Sequence, residues 1–332
     1  MTEVFLTGGS GFIGGRLITR LRADGHAVRA LARSTAAAER VRRLGAEPLL
    51  GDLADVGAMR AGATGCELAF HAAAMLGDWG KREDFERGNV EGTANTLRAC
   101  ADAGVRRFVH VGTEAVLLAG RPLVGVDETA PLQPDSPALY SATKARAEQA
   151  VLAANRDGFE TVVVRPRFVW GAGDTTLLPV ILEMVRSGRF AWIGGGRHLT
   201  STTHVDNTVE GLVLGAIRGR PGEVYFVTDG EPVVFRAFVS ELLATHDVKA
   251  PSRSIPPIVA SVLASAGEEA WKRLPLPGRP PLTRFAFWVY GQECTIRIDK
   301  AREQLGYAPV RTIADGLAEL GVARAPARPA PV

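Results

Sequence analysis

The chain has 332 residues, of which 46% are hydrophobic and 23% are charged, and its formal net charge is only +3. This ordinary globular composition allows one large domain or two smaller ones, and without a basic run or an interleaved aromatic pattern it predicts no nucleic-acid partner. The chain has three cysteines, far apart in sequence, which exclude a disulfide framework and predict reduced thiols in a cytoplasmic protein. No cysteine has metal-ligand spacing to a histidine, so no bound metal is predicted.

Strands and helices alternate along the first half of the chain. Residues 4–7 form an apolar run that predicts a buried strand, and the amphipathic residues 12–23 predict the helix that follows. The early start of this strand leaves no room for a signal peptide, and no apolar run is long enough to span a bilayer. Further strands are predicted at 27–31, 49–50, 68–71, 107–111 and 161–165, with long helices at 89–103 and 137–154. The alternation predicts an α/β fold whose parallel sheet is covered by helices on both faces.

The glycine-rich turn after the first strand has the spacing of a dinucleotide-binding loop. Gly8 permits a tight turn, Gly11 lets the backbone approach a pyrophosphate, and Gly14 lets the helix pack closely on the strand. The helix N-terminus, with Phe12 and Ile13 in its first turn, would face the phosphates. An ordinary glycine-rich turn is the alternative, but the position between a predicted strand and a predicted helix favours the dinucleotide.

The second half of the chain is less regular. Helices are predicted at 177–187, 204–216 and 258–274, and a strand at 224–227. The aromatic run at 285–290 predicts either a buried strand or a hydrophobic surface that contacts a membrane or a second copy of the chain.

We therefore divide the chain into two interleaved domains. Residues 1–168 and 202–228 are assigned to a dinucleotide-binding domain with a Rossmann-type, doubly wound parallel sheet. Residues 169–201 and 229–322 are assigned to a smaller α/β substrate domain. The Ala- and Pro-rich residues 323–332 are predicted to be disordered.

The end of the second strand indicates which dinucleotide binds. An acidic residue about 20 residues past the glycines would bind the ribose of NAD. This chain has Leu31-Ala32-Arg33-Ser34 there. Arg33 can pair with a 2′-phosphate and Ser34 can donate to it, although a solvated surface arginine would give the same sequence. The pattern favours NADP(H) over NAD(H).

A tyrosine and a lysine four residues apart predict an acid/base pair. In a helix over 137–154, Tyr140 and Lys144 lie on one face. A phenol titrates near pH 10, and a neighbouring ammonium stabilises its phenolate. Ser136 is the predicted N-cap and Pro137 the first helical residue, which places Tyr140 near the positive end of the helix dipole. An exposed contact without chemistry is the alternative interpretation.

Together these motifs resemble the extended short-chain dehydrogenase/reductases. The glycine spacing, the tyrosine–lysine pair and four segments between them occur in the order of that family and span nearly the whole chain. The four segments are Gly51-Asp52-Leu53, His71-Ala72-Ala73-Ala74, Asn89-Val90-Glu91-Gly92-Thr93 and Gly112-Thr113-Glu114-Ala115-Val116. Besides the glycine loop, the resemblance implies cofactor contacts by Arg33, Ser34, Asp52, Leu53, Ala72, Ala73, Tyr140, Lys144 and Pro166.

Within this family, the chain is most similar to the 3β-hydroxysteroid dehydrogenase-like branch, which includes sterol-4α-carboxylate dehydrogenases and 2-alkyl-3-ketoalkanoate reductases. The segments that carry this similarity are 74–80, 165–174, 203–207 and 225–232.

Two departures argue against the nucleotide-sugar branch. Sugar epimerases carry asparagine at the position of Phe168. Dehydratases place an Asp-Glu pair directly after the catalytic threonine, where this chain has Glu114-Ala115. A nucleotide-sugar epimerase or dehydratase is one alternative function, and a non-catalytic NADP-binding regulator is another.

The resemblance implies NAD(P)(H)-dependent interconversion of a ketone and a secondary alcohol on a hydrophobic substrate of the steroid, sterol or 3-keto acid type. Tyr140 would exchange a proton with the substrate oxygen, and Thr113 would donate a hydrogen bond to the developing oxyanion. Lys144 would lower the pKa of Tyr140 and bind the nicotinamide ribose. A hydroxyl that bonds only its own backbone is the alternative for Thr113.

Other polar residues have simpler interpretations. Asn89 is predicted to be the N-cap of its helix. His204 and Asp206 are predicted to have a structural role at the domain junction. Arg167 and Arg197 are basic side chains that could meet a substrate carboxylate.

Aromatic residues predict the substrate pocket. Trp79, Phe168 and Trp170 are expected beside the substrate together with Thr113, although core packing is the alternative for aromatic side chains. The expected partner is a hydrophobic small molecule, and the run at 285–290 leaves peripheral membrane contact and a homodimer open.

Overall fold

The computed structural model describes residues 2–322, and the predicted disordered tail at 323–332 lies outside the described residues. The described part contains a seven-stranded sheet, a four-stranded sheet and two strand pairs. The strands, in chain order, are β1 (Glu3–Thr7), β2 (Ala27–Ala32), β3 (Glu47–Leu50), β4 (Leu68–His71), β5 (Arg107–Val111), β6 (Leu123–Val126), β7 (Glu160–Pro166), β8 (Val169–Trp170), β9 (Trp192–Ile193), β10 (Leu199–Thr200), β11 (Thr203–His204), β12 (Glu223–Val227), β13 (Val233–Val234), β14 (Ser254–Ile255) and β15 (Cys294–Ile296).

Helices cover both faces of the large sheet. In β1, Val4 and Leu6 join a hydrophobic cluster with the helices at 12–23 and 205–218, whereas Phe5 joins another cluster with the helices at 56–63, 92–102 and 139–153. Strands buried on both faces require the continuous apolar runs seen in the sequence. The helices are α1 (Phe12–Ala23), α2 (Thr35–Arg43), α3 (Val56–Ala63), α4 (Arg82–Phe85), α5 (Gly92–Asp102), α6 (Leu139–Ala153), α7 (Leu178–Arg186), α8 (Val205–Arg218), α9 (Phe235–Ala244), α10 (Pro257–Arg273), α11 (Arg284–Gly291) and α12 (Ile313–Val322).

The large sheet is parallel throughout, in the order β12-β7-β5-β4-β1-β2-β3, which confirms the predicted Rossmann-type fold. The chain direction across the sheet reverses at β1, which pairs with β2 on one side and β4 on the other. Thr7 and His71 end these neighbouring strands in register. Ligands of open α/β sheets bind at the carboxyl ends of strands at such a point.

The smaller sheet is assembled from distant parts of the chain, in the order β13-β10-β15-β6. Three of its strands come from the segments assigned to the smaller domain, whereas β6 comes from the first segment assigned to the larger one. β12 returns to the edge of the large sheet beside β7. The domain boundaries themselves stay a prediction.

Asp229 connects the segments that cross between the two sheets. It accepts hydrogen bonds from Trp170 Nε1 at 2.8 Å, Thr202 Oγ1 at 2.7 Å and the His204 backbone N–H at 2.5 Å. Asn207 Nδ2 on α8 donates a fourth bond at 2.7 Å. Four donors on one carboxylate fix these segments against the end of β12.

His204 and Asp206 stabilise the start of α8. His204 Nδ1 accepts from the Asp206 backbone N–H at 3.2 Å, and Asp206 pairs with Arg16 at 2.5 Å and with Arg311 at 3.1 Å. His204, Asp206 and Glu319 lie close enough together to hold a metal ion, but Arg16 already supplies positive charge to both carboxylates. These contacts agree with the predicted structural role.

The prediction of a strand at 285–290 was wrong, because these residues belong to α11. Three of the six residues are buried, as the first alternative required, and the second alternative, a surface that contacts a membrane or a second copy of the chain, stays a prediction. Thr283 Oγ1 caps the helix by accepting from Ala286 N at 3.0 Å. α11 packs against α10, and Phe287 and Trp288 are buried. Aromatic residues favour strands, but packing decides the conformation here. Within residues 2–322, no helix combines the length and the apolarity needed to cross a membrane.

Replacing Asp229 by asparagine is expected to destabilise the fold, because the new amide N–H₂ would face donors and leave buried donors unpaired. We expect the free energy of unfolding, measured by urea denaturation, to fall by about 1–3 kcal/mol. Asp102→Asn is the control, since Asp102 is exposed at the end of α5 and has no side-chain partner in the described part of the chain. Equal effects of the two substitutions would contradict this role of Asp229.

Candidate active site

The glycine turn packs against the segment that follows β4. Gly8 has a φ of 78°, and a side chain there would meet the backbone of Ala72 and Ala73 at 2.5 Å. A side chain at Gly14 would collide with the Gly8 carbonyl oxygen, so α1 can approach the turn only with glycine at this position. Gly11 N donates to Gly8 O at 2.9 Å and closes the turn. The fold thus brings the predicted glycine loop beside Ala72 and Ala73.

The first turn of α1, which contains Phe12 and Ile13, suits an anion. Its N-cap is Gly11, which has no side chain to accept from the first backbone N–H groups, and the turn has no acidic residue. Open N–H groups and the helix dipole favour a phosphate at such a position. The uncapped helix end and the glycine turn therefore fit the pyrophosphate of a dinucleotide.

Arg33 and Ser34 follow the carboxyl end of β2, and both are exposed. Arg33 has no ion pair or hydrogen bond to any residue in the described range 2–322. Ser34 Oγ caps α2 by accepting from Ala37 N at 3.2 Å, which leaves its hydroxyl hydrogen able to donate. Both side chains are therefore available to a ligand at this strand end.

The other predicted cofactor residues lie at strand ends of the same sheet. Asp52 follows β3, and its Oδ1 accepts from Ala54 N at 2.7 Å. Leu53 is partly buried, and its carbonyl accepts from Asn95 Nδ2 on α5 at 2.9 Å. Pro166 is the last residue of β7 and is buried. The sheet places all three at its carboxyl edge.

Lys144 is buried beside two histidines. Its ammonium donates to His110 Nε2 at 3.0 Å and to the Val111 carbonyl at 2.9 Å. The rings of His110 and His71 stack with centroids 5.3 Å apart, and His71 Nδ1 lies 2.6 Å from Thr7 Oγ1. Burial, followed by the nearby ammonium, lowers the pKa of His71 to about 3 and the pKa of His110 well below its usual value. Both imidazoles are therefore neutral near pH 7.

Tyr140 lies in the first turn of α6, but the helix begins later than predicted. α6 starts two residues after Pro137, and the prediction of Ser136 as the N-cap was wrong. The Ser136 hydroxyl donates instead to the Leu118 carbonyl at 2.7 Å. Phe285 of α11 packs edge-on against the Tyr140 ring, with centroids 5.5 Å apart. An aromatic side chain of the smaller domain thus covers the phenol.

A buried carboxylate lies beside Thr113. Thr113 Oγ1 donates to Glu114 Oε2 at 2.9 Å and accepts from Ala115 N at 3.2 Å. The hydroxyl thus bonds the local backbone, as its alternative interpretation proposed, but it also bonds a side chain. Glu114 Oε1 pairs with Arg167 Nη1 at 2.6 Å, and both side chains are more than nine-tenths buried. Arg167 Nη2 also donates a hydrogen bond to Thr200 Oγ1 at 3.0 Å. The expectation that Arg167 meets a substrate carboxylate was therefore wrong.

The surroundings raise the pKa of Tyr140. Burial is the largest cause, the Glu114 carboxylate adds to it, and a hydrogen bond with Thr113 opposes both. The predicted lowering by Lys144 was wrong for the protein without cofactor, because the Lys144 ammonium is directed to the end of β5. The phenol is therefore protonated at neutral pH.

Asn89 ties the loop after β4 to α6, and its prediction as an N-cap was wrong. It lies inside a π-helical turn, where its amide oxygen accepts from Met75 N at 2.7 Å and its amide nitrogen donates to Thr143 Oγ1 at 3.1 Å. Asp78, further along the same loop, accepts from Thr283 Oγ1 at 2.9 Å just before α11. The loop is thus held at two points beside the site.

Two predicted substrate residues belong to the core. Trp170 has no exposed surface, and Phe168 packs edge-on against Phe235 and Tyr290 with only 8% of its surface exposed. Both side chains pack in the core, as the alternative interpretation has it, and their assignment as substrate contacts stays a prediction. Trp79 is partly buried in the loop between β4 and α4.

Sequence reasoning missed three residues that contact the predicted acid/base pair or its neighbours. Glu114 gave a signal, since a carboxylate directly after a strand-end threonine at a predicted site needs a partner. His110 gave a weaker one, as a polar residue within a run that has to be buried on both faces. Phe285 gave none, because its contact with Tyr140 joins distant parts of the chain.

Residues 5–257 match the 3-beta hydroxysteroid dehydrogenase/isomerase family. This match takes in the glycine loop, Thr113, Tyr140 and Lys144 together. The chain belongs to this family. It is an oxidoreductase of the NAD(P)-dependent short-chain dehydrogenase/reductase type, as predicted.

Its relatives include ketone reductases. The chain is 50% identical to the 4-hydroxy-2-methyl-3-oxo-4-farnesyl-3,4-dihydroquinoline-1-oxide ketoreductase of Stigmatella aurantiaca, over 95% of this chain and 94% of that protein. It is 37% identical to the 2-alkyl-3-oxoalkanoate reductase of Stenotrophomonas maltophilia, over 96% of this chain and 98% of that protein. The predicted branch of the family is confirmed.

Solved structures share the fold. The crystal structure of gox2253 has a TM-score of 0.78 at 28% identity and covers 98% of this chain and 99% of its own. A double mutant of the dTDP-glucose 4,6-dehydratase DesIV of Streptomyces venezuelae, solved with NAD, has a TM-score of 0.75 at 24% identity and covers 96% of this chain and 95% of its own. The likeness to DesIV concerns the fold alone.

We expect Lys144 to make the protein without cofactor more stable as the pH rises from about 8 towards 10.5. Burial lowers the pKa of Lys144 to about 8 in the folded state, and the Glu148 carboxylate opposes this shift. Between about 8 and the ordinary value of 10.5, the unfolded chain holds a proton that the folded chain has lost, so the free energy of unfolding increases with pH.

Urea denaturation of the wild type and of Lys144→Met at several pH values measures this contribution. The variant lacks the titrating group but keeps a side chain of similar length. The lowered pKa would be contradicted if, between pH 8 and 10, the wild type gained no stability relative to Lys144→Met or lost stability relative to it.

Proposed function

We propose that the chain reduces a ketone on an apolar molecule to a secondary alcohol, with NADP(H) as cofactor and Tyr140 as proton donor. The observation that carries this proposal is the Tyr140 phenol, which is protonated at neutral pH and packs edge-on against the ring of Phe285 beside the end of β5 that carries Thr113. Ketone reduction needs a protonated acid, because the oxygen gains negative charge as the carbon accepts a hydride.

The residues present fit a dinucleotide. The glycine turn and the first turn of α1 would hold the pyrophosphate. Lys144 uses two of its three ammonium hydrogens on His110 and Val111, so one is left for a ribose hydroxyl. When bound, the reduced nicotinamide supplies the hydride. The remaining contacts would come from Asp52, Leu53, Ala72, Ala73 and Pro166.

Tyr140 would give its proton to the ketone oxygen. Thr113 would donate a second hydrogen bond to the same oxygen when its hydroxyl turns away from Glu114. Arg167 pairs with Glu114 Oε1, whereas Glu114 Oε2 faces Thr113, so Arg167 reduces but does not cancel the charge that Glu114 presents to the site. The chain's own residues thus supply the proton and the hydrogen bond that ketone reduction requires.

The relatives' names define a narrower class of substrate. In 2-alkyl-3-oxoalkanoate, and in the farnesylated quinoline N-oxide that bears a 3-oxo group, the ketone is next to a carbon that bears a hydrocarbon substituent, alkyl in the first and farnesyl in the second. We propose that this chain acts on the same grouping. The hydrocarbon would lie between the carboxyl edge of the large sheet and the smaller domain, with Phe285 and Trp79 beside it.

Tyr140→Phe is expected to lower kcat/KM for reduction of a 2-alkyl-3-oxo acid by roughly 10²–10⁴-fold, because it removes the proton donor and little else. NADPH binding, measured by fluorescence titration, should stay close to that of the wild type. Tyr307→Phe is the control, since it also removes a buried phenol hydroxyl, one that donates to the Thr228 carbonyl away from the site. Equal activity of Tyr140→Phe and the wild type would contradict the proposal.

Arg33→Ala is expected to weaken NADPH binding by roughly tenfold or more while NADH binding changes little, because a hydrogen bond to a charged group contributes about 1.5–3 kcal/mol. Isothermal titration with each cofactor measures both affinities. Arg43→Ala is the control, because Arg43 is exposed at the end of α2 and has no partner in the described residues. Parallel losses for both cofactors, or none, would argue against a 2′-phosphate contact.

A further inference from the structure

The exposed side of α10 is apolar. Two pairs of apolar residues lie one helical turn apart on this side, Ile258 with Val262 and Val259 with Leu263. Ile258 is 75% exposed and Val262 is 61% exposed. Leu274 and Leu276, directly after the helix, are exposed as well. We call these six residues the α10 surface. A helix normally turns such a stripe towards the core.

The opposite side of α10 already has its partner. Ala260 and Ala264 are fully buried on that side, and Glu268 Oε1 accepts from Arg284 N at 2.6 Å at the start of α11. α10 therefore packs on α11 without using the α10 surface.

The segment around the α10 surface is basic. Residues 249–284 contain six basic and two acidic residues, a net charge of +4, whereas the whole chain has only +3. Several of these charges make exposed ion pairs, such as Arg273 with Glu269 and Arg279 with Asp78, which are weak and easily exchanged. Apolar side chains next to basic ones match the headgroups and the acyl region of an anionic bilayer.

The α10 surface is one helix away from the active site. α10 packs on α11, and α11 places Phe285 against Tyr140. The loop before α11 is also bonded to Asp78, in the loop that follows β4. We propose that the α10 surface docks on an anionic lipid bilayer, so that the site opens towards the phase in which long-chain ketones dissolve.

Co-sedimentation with lipid vesicles tests this proposal. The full chain should bind vesicles of phosphatidylcholine mixed with phosphatidylglycerol at least about tenfold better than vesicles of phosphatidylcholine alone, and salt should weaken the binding. The double variant Ile258→Asp/Val262→Asp should lose vesicle binding and keep its melting temperature. Ile217→Asp is the matched control, because Ile217 is 70% exposed on α8, away from this segment.

Absence of vesicle binding, or binding that the double variant retains, would overturn the proposal. Analytical ultracentrifugation gives the other decisive result. If the wild type is a dimer that the double variant dissociates, a second copy of the chain covers the α10 surface and the bilayer proposal is wrong. Neither measurement uses a ketone substrate, so the outcome is separate from that of the proposed reductase activity.

A different observation, the pair formed by Glu114 and Arg167, carries a second inference, which rests on the proposed function. Glu114 Oε2 accepts a hydrogen bond from the Thr113 hydroxyl at 2.9 Å, so Glu114 would act on a ketone at this site through Thr113. We infer that Glu114 is a positioning residue that favours proton donation by Tyr140, and hence reduction over alcohol oxidation.

The charges around Tyr140 support this direction. Glu114 is the charged group that acts on the phenol, and it raises the pKa of Tyr140. Lys144, on the same helix, is directed to His110, which is neutral. Arg167, the residue after β7, faces Glu114, and its other titratable neighbours are Tyr290, Cys294 and His198. The pKa values of Tyr290 and Cys294 are raised and that of His198 is lowered, so these three groups are uncharged near pH 7.

Glu114→Gln removes the charge and keeps the size of the side chain. The alkaline limb of the pH profile of kcat for ketone reduction should move to lower pH, and kcat for alcohol oxidation should rise relative to kcat for ketone reduction at pH 9. Glu114→Asp, which restores the carboxylate, should keep the wild-type profile. If Glu114→Gln does not fold because Arg167 is left unpaired, the neutral pair Glu114→Gln/Arg167→Gln replaces it.

An unchanged pH profile in a folded variant without the carboxylate would overturn the inference, provided that Tyr140→Phe is inactive. If the wild type reduces no ketone at all, the proposed function fails and this inference fails with it. A loss of kcat in Glu114→Gln without any shift in pH profile would indicate a purely structural role, which also overturns it.

Discussion

The ion pair of Glu114 and Arg167 is the interaction on which the site depends. Two charges in the interior are stable only if both are present and their remaining hydrogen-bonding groups are satisfied. The Arg167 guanidinium meets this condition through Thr200 of the small sheet and the Val289 carbonyl of α11. The pair therefore joins the end of the large sheet to the smaller domain, directly beside Tyr140. Removing either charge would disturb the fold and the chemistry together.

Much of the fold could be predicted because local patterns and tertiary surroundings agree. Strands buried on both faces must be apolar throughout, so β1, β4 and β5 are visible as short runs in the sequence. The predicted helix at 12–23 coincides with α1, because the glycine turn marks its start. Tyr140 and Lys144 were found because a spacing of four residues in a helix fixes their common face whatever surrounds them.

The features that could not be predicted depend on contacts between distant segments. Residues 285–290 have the composition of a strand, but a cap at Thr283 and packing on α10 make them a helix. The direction of the Lys144 ammonium depends on His110, which belongs to another element. The partner of Arg167 could not be chosen from sequence, because substrate and protein carboxylates attract a guanidinium equally.

The loop after β4 is fastened at Met75 by Asn89 and at Asp78 by Thr283, and only Leu76 and Gly77 lie between these two points. Gly77 has a φ of 133°, and Leu76 is exposed. Variation in the bulk of a ligand would then be absorbed by a two-residue arch rather than by displacement of the whole loop.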